Sequence, residues 1–254
     1  AFANGCVYNN SSILIAGFGS AVDALMAVRE FVFERKELTL ERFRDILRHN
    51  WEGEEKLRLR IRRSEAKYGN GVEKVDFYAE MIARFLGNKI NLQPNSRGGV
   101  YEASGHSART FITLGERTGA TPDGRFAGEE MSKNLSPAMG MDTRGVTALI
   151  RSVTRLDAVT FPGDFPLDVM MHPATVRGAE GLDAMRGLLY TYLWNHGVAI
   201  HFNICDAAVL KDAQKHPEQY AGLQIRVCGW NVRFTELSKK EQDAYIERAS
   251  SIAE

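Results

Sequence analysis

The apolar positions of the chain change their spacing along its length, and this change divides it into three regions. In the first 90 residues apolar side chains recur at helical intervals, as in the stripe of Val22, Leu25 and Met26. From 91 to 143 this periodicity fades and turn-forming residues dominate, which predicts a long irregular segment. From 146 onward helical stripes alternate with short β runs, which predicts mixed α/β structure.

The last third of the chain predicts alternating strands and helices. Its apolar β runs are Leu167–Met171, Val198–Ile204 and Gln224–Cys228. Asp206 is placed to cap the helix before the third run. A strand, a capped helix and a second strand in close succession are typical of a βαβ unit, whose strands pair in parallel. We therefore expect the second and third runs to be neighbours in a parallel sheet.

Three other positions are predicted helix starts. Ser20 precedes the first stripe, Thr39 precedes a second one, and Ser238 with Glu241 forms a capping box before the final helix. The glycine-rich residues 1–20 lack both the Gly-Lys-Ser/Thr ending and the Gly-x-Gly-x-x-Gly spacing of phosphate-binding loops. We expect irregular, packed backbone there instead.

Composition argues against several classes of function. Lys plus Arg and Asp plus Glu both number 32, so no net field favours nucleic acid or an anionic membrane. The charged segment Glu54–Lys67 is interpreted as a solvated helix face rather than a partner site. The longest apolar runs, such as Ile13–Phe18, are too short to span a bilayer and no signal peptide is visible, so a cytoplasmic location is expected. Three cysteines at no metal-like spacing fit free thiols in a reducing compartment.

The strongest candidate chemistry lies in one nonapeptide, Arg226-Val-Cys-Gly-Trp-Asn-Val-Arg-Phe234. Gly229 follows a β run, and glycine lets the backbone turn tightly or be closely approached. A Cα radical between an amide nitrogen and a carbonyl is delocalised, and glycine alone can become planar there without a side-chain clash. With its Arg-Val-x-Gly-aromatic pattern, the later x-Val-x-Phe and the Leu-Ser and Gln-Asp pairs beyond, this stretch resembles the radical-bearing loop of glycyl radical enzymes.

Other segments resemble the same family, and together they span nearly the whole chain. They are Tyr8-Asn9, Ala21-Val-Asp23, Lys67-Tyr-Gly-Asn70, Val75-Asp76, Arg97-Gly-Gly99, Gly115-Glu-x-Thr-Gly-Ala-Thr-Pro-Asp-Gly-Arg125, Leu135-Ser-Pro137, Gly145-x-Thr-Ala148, Ser152-Val153 and His216-Pro-Glu-x-Tyr220. The resemblance implies the C-terminal part of a ten-stranded α/β barrel made of two five-stranded halves. It places the end of a pyruvate formate-lyase-like domain at about 1–120 and a glycine radical domain at about 121–254.

The resemblance also implies roles for individual residues. Gly229 would carry the radical, and Arg226, Val227, Cys228 and Trp230 would serve recognition by an activase and burial of the loop. No cofactor is expected to be bound, because a separate radical S-adenosylmethionine activase would abstract hydrogen from Gly229. The stored radical would then pass to a cysteine, whose thiyl would abstract hydrogen from the substrate.

The thiyl cysteine of the family has no clear counterpart in this sequence. Cys6 lies just before Tyr8-Asn9, whereas the family's cysteine loop lies well upstream of that segment. Cys205 on a predicted strand and Cys228 beside the glycine are expected to be packing residues. We therefore expect a fragment without the cysteine loop that is inactive alone. Its expected partners, besides the activase, are the upstream half of the enzyme or a partner subunit, and further copies in a homo-oligomer.

Three residues are possible substrate contacts. His201 and Asn203 alternate on one strand and should project to the same side of it, although a hydrogen-bonded structural histidine is the more ordinary outcome for His201. His172 ends another strand, where barrel enzymes build their sites. The six histidines show no metal-ligand spacing, so no metal is expected.

Two hypotheses for function follow from the resemblance. The first is an oxygen-sensitive, anaerobic glycyl radical lyase that cleaves a C–C or C–heteroatom bond of a small organic substrate. A decarboxylase, a dehydratase and a formate acetyltransferase-type acyltransferase all remain open, because the fold alone cannot choose a substrate. The second is a non-catalytic, radical-carrying subunit that docks on a partner supplying the cysteine loop.

Overall fold

A computed structural model of the chain describes residues 5–227 and 229–253. Its helices are α1 (Phe18–Val28), α2 (Leu40–Arg48), α3 (Glu55–Arg62), α4 (Glu73–Ile90), α5 (Thr110–Glu116), α6 (Gly145–Val153), α7 (Gly178–Trp194), α8 (Ala207–Lys215) and α9 (Lys239–Ala253). A π-helical segment, Arg29–Glu34, continues α1. Among the described residues no helix is both long and apolar enough to cross a membrane.

The strands form three pairs. They are β1 (Ser11–Leu14), β2 (Tyr101–Ser104), β3 (Pro166–Met171), β4 (Ala199–Ile204), β5 (Gln224–Val227) and β6 (Trp230–Arg233). β1 pairs with β2 and β3 with β4, both in parallel, whereas β5 and β6 form an antiparallel hairpin. A parallel bridge between Ser104 and Asp164 links the end of β2 to the segment that enters β3. Each parallel pair is a two-stranded sheet of its own, and this bridge brings the end of β2 beside the start of β3.

The faces of β3 and β4 separate two cores. Leu167, Val169 and Met171 pack into the larger core, which α1, α4, α6 and α7 cover. Met170 points the other way, into a second core made by α5, α8, α9 and the β5–β6 hairpin. All six residues of β3 are buried, as expected for a parallel strand covered on both faces. The hairpin thus lies on one defined face of the sheet.

A third apolar cluster lies away from the sheet. It gathers side chains from the end of α1, the π-helical segment, α2 and α3, namely Ala27, Phe31, Phe43, Ile46, Trp51 and Ile61. The charged segment around α3 is only partly the solvated face that composition suggested. Arg60 pairs with Glu37 at 2.8 Å in solvent, but Arg58 stacks on the ring of Phe126 at 4.1 Å and donates to the Gly124 carbonyl at 3.0 Å.

Several predicted elements are confirmed, above all in the last third. Thr39 accepts from the Arg42 amide at 3.1 Å and Asp206 accepts from the Ala208 amide at 2.7 Å. Ser238 forms the capping box, since its own amide donates to Glu241 at 3.0 Å and its hydroxyl accepts from the Glu241 amide at 3.3 Å.

The predicted parallel pairing of the second and third β runs is wrong. The run Gln224–Val227 pairs antiparallel with Trp230–Arg233, because the chain reverses at once through a turn at Gly229. The parallel βαβ unit is formed one step earlier, by β3, α7 and β4. A short apolar run does not show whether its strand continues or reverses. Here the chain reverses at Gly229, so the partner of β5 is β6 and not β4.

Two other expectations are corrected near the N-terminus and in the middle. Ser20 is not an N-cap: α1 already begins at Phe18, and the Ser20 hydroxyl accepts from the Ser132 amide at 2.8 Å. The glycine-rich residues 1–20 contain strand β1, and the stretch 91–143 contains β2 and α5. These short elements depend on distant partners, so local periodicity does not show them.

Arg125 organises much of the remaining irregular segment. Its guanidinium is buried and donates to the carbonyls of Glu129, at 2.7 Å, and of Gly119. Its Nε also donates to the Thr121 hydroxyl at 3.1 Å. One side chain therefore pairs the backbone groups that regular secondary structure would otherwise have paired.

Asp23 is a buried carboxyl in the larger core. One of its oxygens accepts from the Tyr68 amide at 2.8 Å, and the other has no hydrogen-bond partner among the described residues. Burial raises the pKa of Asp23 to about 7, against the opposing effects of the Lys67 charge and the Tyr68 amide. The folded state therefore binds a proton that the unfolded state has lost above pH 4.

We predict that Asp23→Asn changes the pH dependence of stability. Because the pKa is raised on folding, the contribution of Asp23 is fully present below about pH 4 and is lost as pH rises through 7, by up to about 4 kcal/mol. Urea unfolding at several pH values should show wild type losing stability over this range relative to the variant. Asp183→Asn, at an exposed helical position, serves as the control. Parallel curves for wild type and Asp23→Asn would contradict the prediction.

Candidate functional site

Gly229 lies at the tip of the β5–β6 hairpin, between the paired residues Val227 and Trp230. Its φ is +91°, in the left-handed region that a side chain disfavours. A Cβ placed on Gly229 would lie 3.4 Å from Cε1 and 3.7 Å from Nε2 of His201. The imidazole therefore faces the α-carbon on the side where an L residue would carry its side chain, with room for about one heavy atom between them.

Asn203 attaches the hairpin to the sheet. Its Nδ2 donates to the Arg226 carbonyl at 2.8 Å, and its Oδ1 accepts from the Arg226 amide at 2.6 Å. The buried amide side chain thus engages both backbone groups of one β5 residue, as a neighbouring strand would. Tyr245 on α9 adds a hydrogen bond from its hydroxyl to the same carbonyl, at 3.3 Å. This arrangement fixes the position of Gly229 three residues farther along.

His201 is oriented by Asp168. The two residues are direct cross-strand partners in the β3–β4 register, and His201 Nδ1 lies 3.3 Å from Asp168 Oδ1. The other oxygen of Asp168 accepts from the side-chain amide of Asn134 and lies 4.0 Å from Lys133 Nζ. The Asp168 amide donates to the Ser136 hydroxyl at 3.1 Å. A loop and two strands therefore converge on one buried carboxylate.

The environment keeps Asp168 ionised. Burial alone would raise its pKa, but the charge of Lys133 and the hydrogen bonds from His201 and Asn134 outweigh burial and lower the pKa to about 2. Because the carboxylate can only accept at neutral pH, His201 Nδ1 carries the shared proton. Nε2 is then the nitrogen on the side of Gly229, where it can accept a hydrogen bond in the neutral ring or donate one in the imidazolium.

Trp230, the next residue after Gly229, rests on a second histidine. Its indole is 60% exposed and meets His106 edge to face, with ring centroids 5.3 Å apart. His106 Nδ1 lies 3.2 Å from an oxygen of Asp164, the residue that bridges to β2. Two histidine–carboxylate pairs thus flank the hairpin tip, one at Gly229 and one at Trp230.

The predicted residues of the nonapeptide have different surroundings. Val227 is buried in the second core, while the Arg226 side chain donates to Asn231 across the hairpin at 2.9 Å. Cys228 lies outside the described residues. Recognition of this hairpin by an activase stays a prediction.

The predicted placement of His201 and Asn203 on one side of their strand is confirmed, since both side chains face the hairpin. His172 is elsewhere: it caps a short helical turn by accepting from the Ala174 amide at 3.2 Å, and its Nε2 lies 3.8 Å from Asp206. Within 4 Å of the side-chain position of Gly229, the described residues place only His201 beyond the glycine's chain neighbours.

The two described cysteines differ in exposure. Cys6 is exposed, and Cys205, just after β4, is half-buried with a pKa raised by burial. No group of three His, Cys, Asp or Glu residues in the described ranges is arranged to hold a metal ion.

Sequence reasoning missed Asp168, Lys133, Asn134 and His106. Asp168 had a usable signal, because a charged residue inside the apolar run Leu167–Met171 must find partners when the strand is buried. Lys133 and Asn134 lie in the irregular segment, and their approach to Asp168 depends on tertiary structure. His106 also lies in that segment and carried no motif.

Comparison with known families covers most of the chain. The pyruvate formate lyase-like family model matches residues 1–115, and the glycine radical model matches residues 131–235, a range that contains Gly229, His201 and Asp168. The chain belongs to the glycyl radical enzymes. Two different models of this family thus match in order along one chain.

Individual glycyl radical enzymes are similar over almost the whole chain. Trans-4-hydroxy-L-proline dehydratase of Clostridioides difficile is 34% identical over 96% of this chain and 31% of its own length. Indoleacetate decarboxylase of Tractidigestivibacter scatoligenes is 30% identical over 96% of this chain and 30% of its own length. The solved structure of the B12-independent glycerol dehydratase from Clostridium butyricum, in its glycerol-bound form, aligns with a TM-score of 0.91 at 31% identity, over 96% of this chain and 31% of that one.

This chain matches only part of each relative. The chain spans less than a third of the length of each of them. They include dehydratases and a decarboxylase, so the family members similar to this chain are glycyl radical lyases of more than one kind. The hairpin and the strands β3 and β4 that hold it all lie within the range of the glycine radical model.

We predict that Asn203→Ala loosens the hairpin. The variant loses two hydrogen bonds and leaves both backbone groups of Arg226 without the amide, so we expect a loss of about 2 kcal/mol locally. Hydrogen exchange followed by mass spectrometry should show faster exchange in peptides covering 224–233. Asn195→Ala, which removes an exposed amide bonded to the Thr191 carbonyl, is the matched control. Unchanged exchange in the hairpin would contradict the role of Asn203.

Proposed function

We propose that Gly229 stores the radical of a glycyl radical lyase. The observation that carries this proposal is the hairpin tip itself, where a glycine with φ +91° lies inside the range of the glycine radical model. A planar Cα radical requires a residue without a side chain, and this position disfavours a side chain before any radical is formed. The same residue type serves both the fold and the chemistry.

The proposed reaction begins with a separate radical S-adenosylmethionine activase. It abstracts one hydrogen atom from the Gly229 α-carbon and leaves an unpaired electron delocalised over the adjoining amide nitrogen and carbonyl. The chain's own residues position that carbon: Asn203 fixes Arg226, and His201 lies against Gly229. Trp230 on its His106 support holds the other side of the hairpin tip.

We propose that the thiyl cysteine comes from outside these 254 residues. Within 4 Å of the side-chain position of Gly229 the described residues provide no sulfur atom, and the exposed Cys6 and half-buried Cys205 have no contact there. The similar lyases are about three times as long as the part matched here. In this proposal the same polypeptide supplies the cysteine and completes the ten-stranded barrel, of which β1–β4 form a part.

Dehydration is the reaction class that we favour. Two of the similar proteins act as dehydratases of small hydroxylated molecules, and the third is a decarboxylase. In dehydration, the thiyl removes a hydrogen atom from the substrate, and the substrate radical then loses water. The resulting product radical takes the hydrogen atom back from the cysteine, which restores the thiyl. Decarboxylation or a formate-lyase type reaction would use the same stored radical with different substrate contacts.

A second candidate is a radical-carrying subunit without catalysis of its own. It is supported by the surroundings of Gly229, since the described residues place no sulfur atom within 4 Å of its side-chain position, chain neighbours apart. The two candidates differ in covalent connection. Affinity purification under anaerobic conditions, followed by mass spectrometry, distinguishes one long polypeptide from a complex of two.

We predict that Gly229→Ala abolishes radical storage in the protein as it occurs in the cell. The methyl group clashes with the flanking backbone when the α-carbon becomes planar, and at φ +91° it costs about 1–2 kcal/mol of stability. After anaerobic activation, electron paramagnetic resonance should show a doublet in wild type and none in the variant. Gly222→Ala, where a Cβ meets nothing within 4 Å, should keep the doublet. A doublet that persists in Gly229→Ala would refute the assignment.

We also predict that air cuts the activated protein at Gly229. Dioxygen adds to the Cα radical, and the peroxyl product fragments the backbone there. Mass spectrometry should detect loss of the segment Trp230–Glu254 only in samples that showed the doublet before exposure. An intact chain after the doublet has been quenched by air would argue against Gly229 as the radical position.

A further inference from the structure

His201 covers one face of the Gly229 α-carbon. Its Cε1 and Nε2 are the atoms that lie within 4 Å of the side-chain position of Gly229, chain neighbours apart, among the described residues. These distances of 3.4 and 3.7 Å run from the ideal Cβ position and are ordinary van der Waals contact, so the space between the ring and the α-carbon holds about one heavy atom. The imidazole is itself mostly buried, with 16% of its side chain exposed.

The covering ring is anchored to the sheet rather than to the hairpin. His201 lies within β4, and its Nδ1 is held by Asp168, the residue opposite it on β3. Asp168 is buried and ionised, and Asn134 and Lys133 fix its second oxygen. The ring therefore keeps its place independently of small motions of the hairpin tip.

We propose that His201, positioned by Asp168, shields the stored radical by narrowing the space over one face of the Gly229 α-carbon to about one heavy atom. This inference rests on the proposed function of Gly229. A planar Cα radical is open on two faces, and dioxygen reacts by forming a C–O bond at either one, which gives a peroxyl radical. On the face that His201 covers, an oxygen atom bonded to the α-carbon would fill the space below the ring, and the second oxygen of dioxygen would have to fit beside the ring.

The proposed shielding depends on the size of the side chain at position 201 and on the Asp168 carboxylate that holds the ring, and variants can change each separately. His201→Gln and His201→Leu keep a side chain of similar reach over Gly229, whereas His201→Ala removes it. Asp168→Asn keeps the ring but replaces the ionised acceptor that holds it. His216→Ala removes a histidine that is half-exposed on the surface and serves as the control.

The test uses the full-length protein, activated without air and then mixed with buffer of a fixed, low dioxygen content. The decay of the paramagnetic doublet is followed in each variant, normalised to its starting amplitude, and melting temperatures are recorded in parallel. We expect several-fold faster decay in His201→Ala, an intermediate rate in Asp168→Asn, and rates near wild type in His201→Gln, His201→Leu and His216→Ala. The α-hydrogen splitting of the doublet should stay the same, because the radical itself is unchanged.

Two results would overturn the shield. The first is a doublet in His201→Ala that decays at the wild-type rate. If His201→Ala gives no doublet, Asp168→Asn takes its place, and decay of its doublet at the wild-type rate counts in the same way. The other is fast decay in both His201→Gln and His201→Leu, which would show that a covering side chain does not protect. The absence of any doublet in wild type is a different failure, since it removes the proposed function of Gly229 and this inference with it.

Discussion

The buried carboxylate of Asp168 is the interaction on which the site depends. It lies in the middle of a strand covered on both faces, where an unpaired charge would be strongly destabilising. Its partners come from β4 and from the loop before α6, so satisfying one charge draws separate parts of the chain together. The parallel register of β3 and β4 places His201 opposite Asp168, and Asn203, two residues on, faces the same way toward the hairpin.

The elements that the sequence predicted well are those specified by local rules. Thr39, Asp206 and Ser238 cap helices because their side chains reach amides only two or three residues away. Gly229 could be singled out because its proposed role requires one residue type in one short motif. Both kinds of signal are contained in a few consecutive residues.

The elements that the sequence did not predict depend on distant partners. Ser20 looks like a cap, but a reciprocal pair of hydrogen bonds with Ser132 holds it inside α1. Lys133 and Asn134 have no periodicity that could mark them, and only folding brings them to Asp168. Likewise, the side chain of Asn203 substitutes for a strand beside β5, and no pattern along the chain distinguishes such a substitution from true strand pairing.

The pairing of Asn203 with Arg226 has a mechanical consequence. A strand built into a parallel ladder can leave it only by breaking a whole row of backbone hydrogen bonds and exposing its neighbours. Here β5 shares no ladder with β4, and one amide side chain makes the direct bonds between them. Lifting the hairpin away breaks those two bonds at a cost of about 1 kcal/mol each, together with its apolar packing, and leaves β3–β4 whole. The hairpin that carries Gly229 is therefore held on the sheet by side chains and is not part of its ladder, so a displacement of the hairpin would need no refolding of the β3–β4 pair.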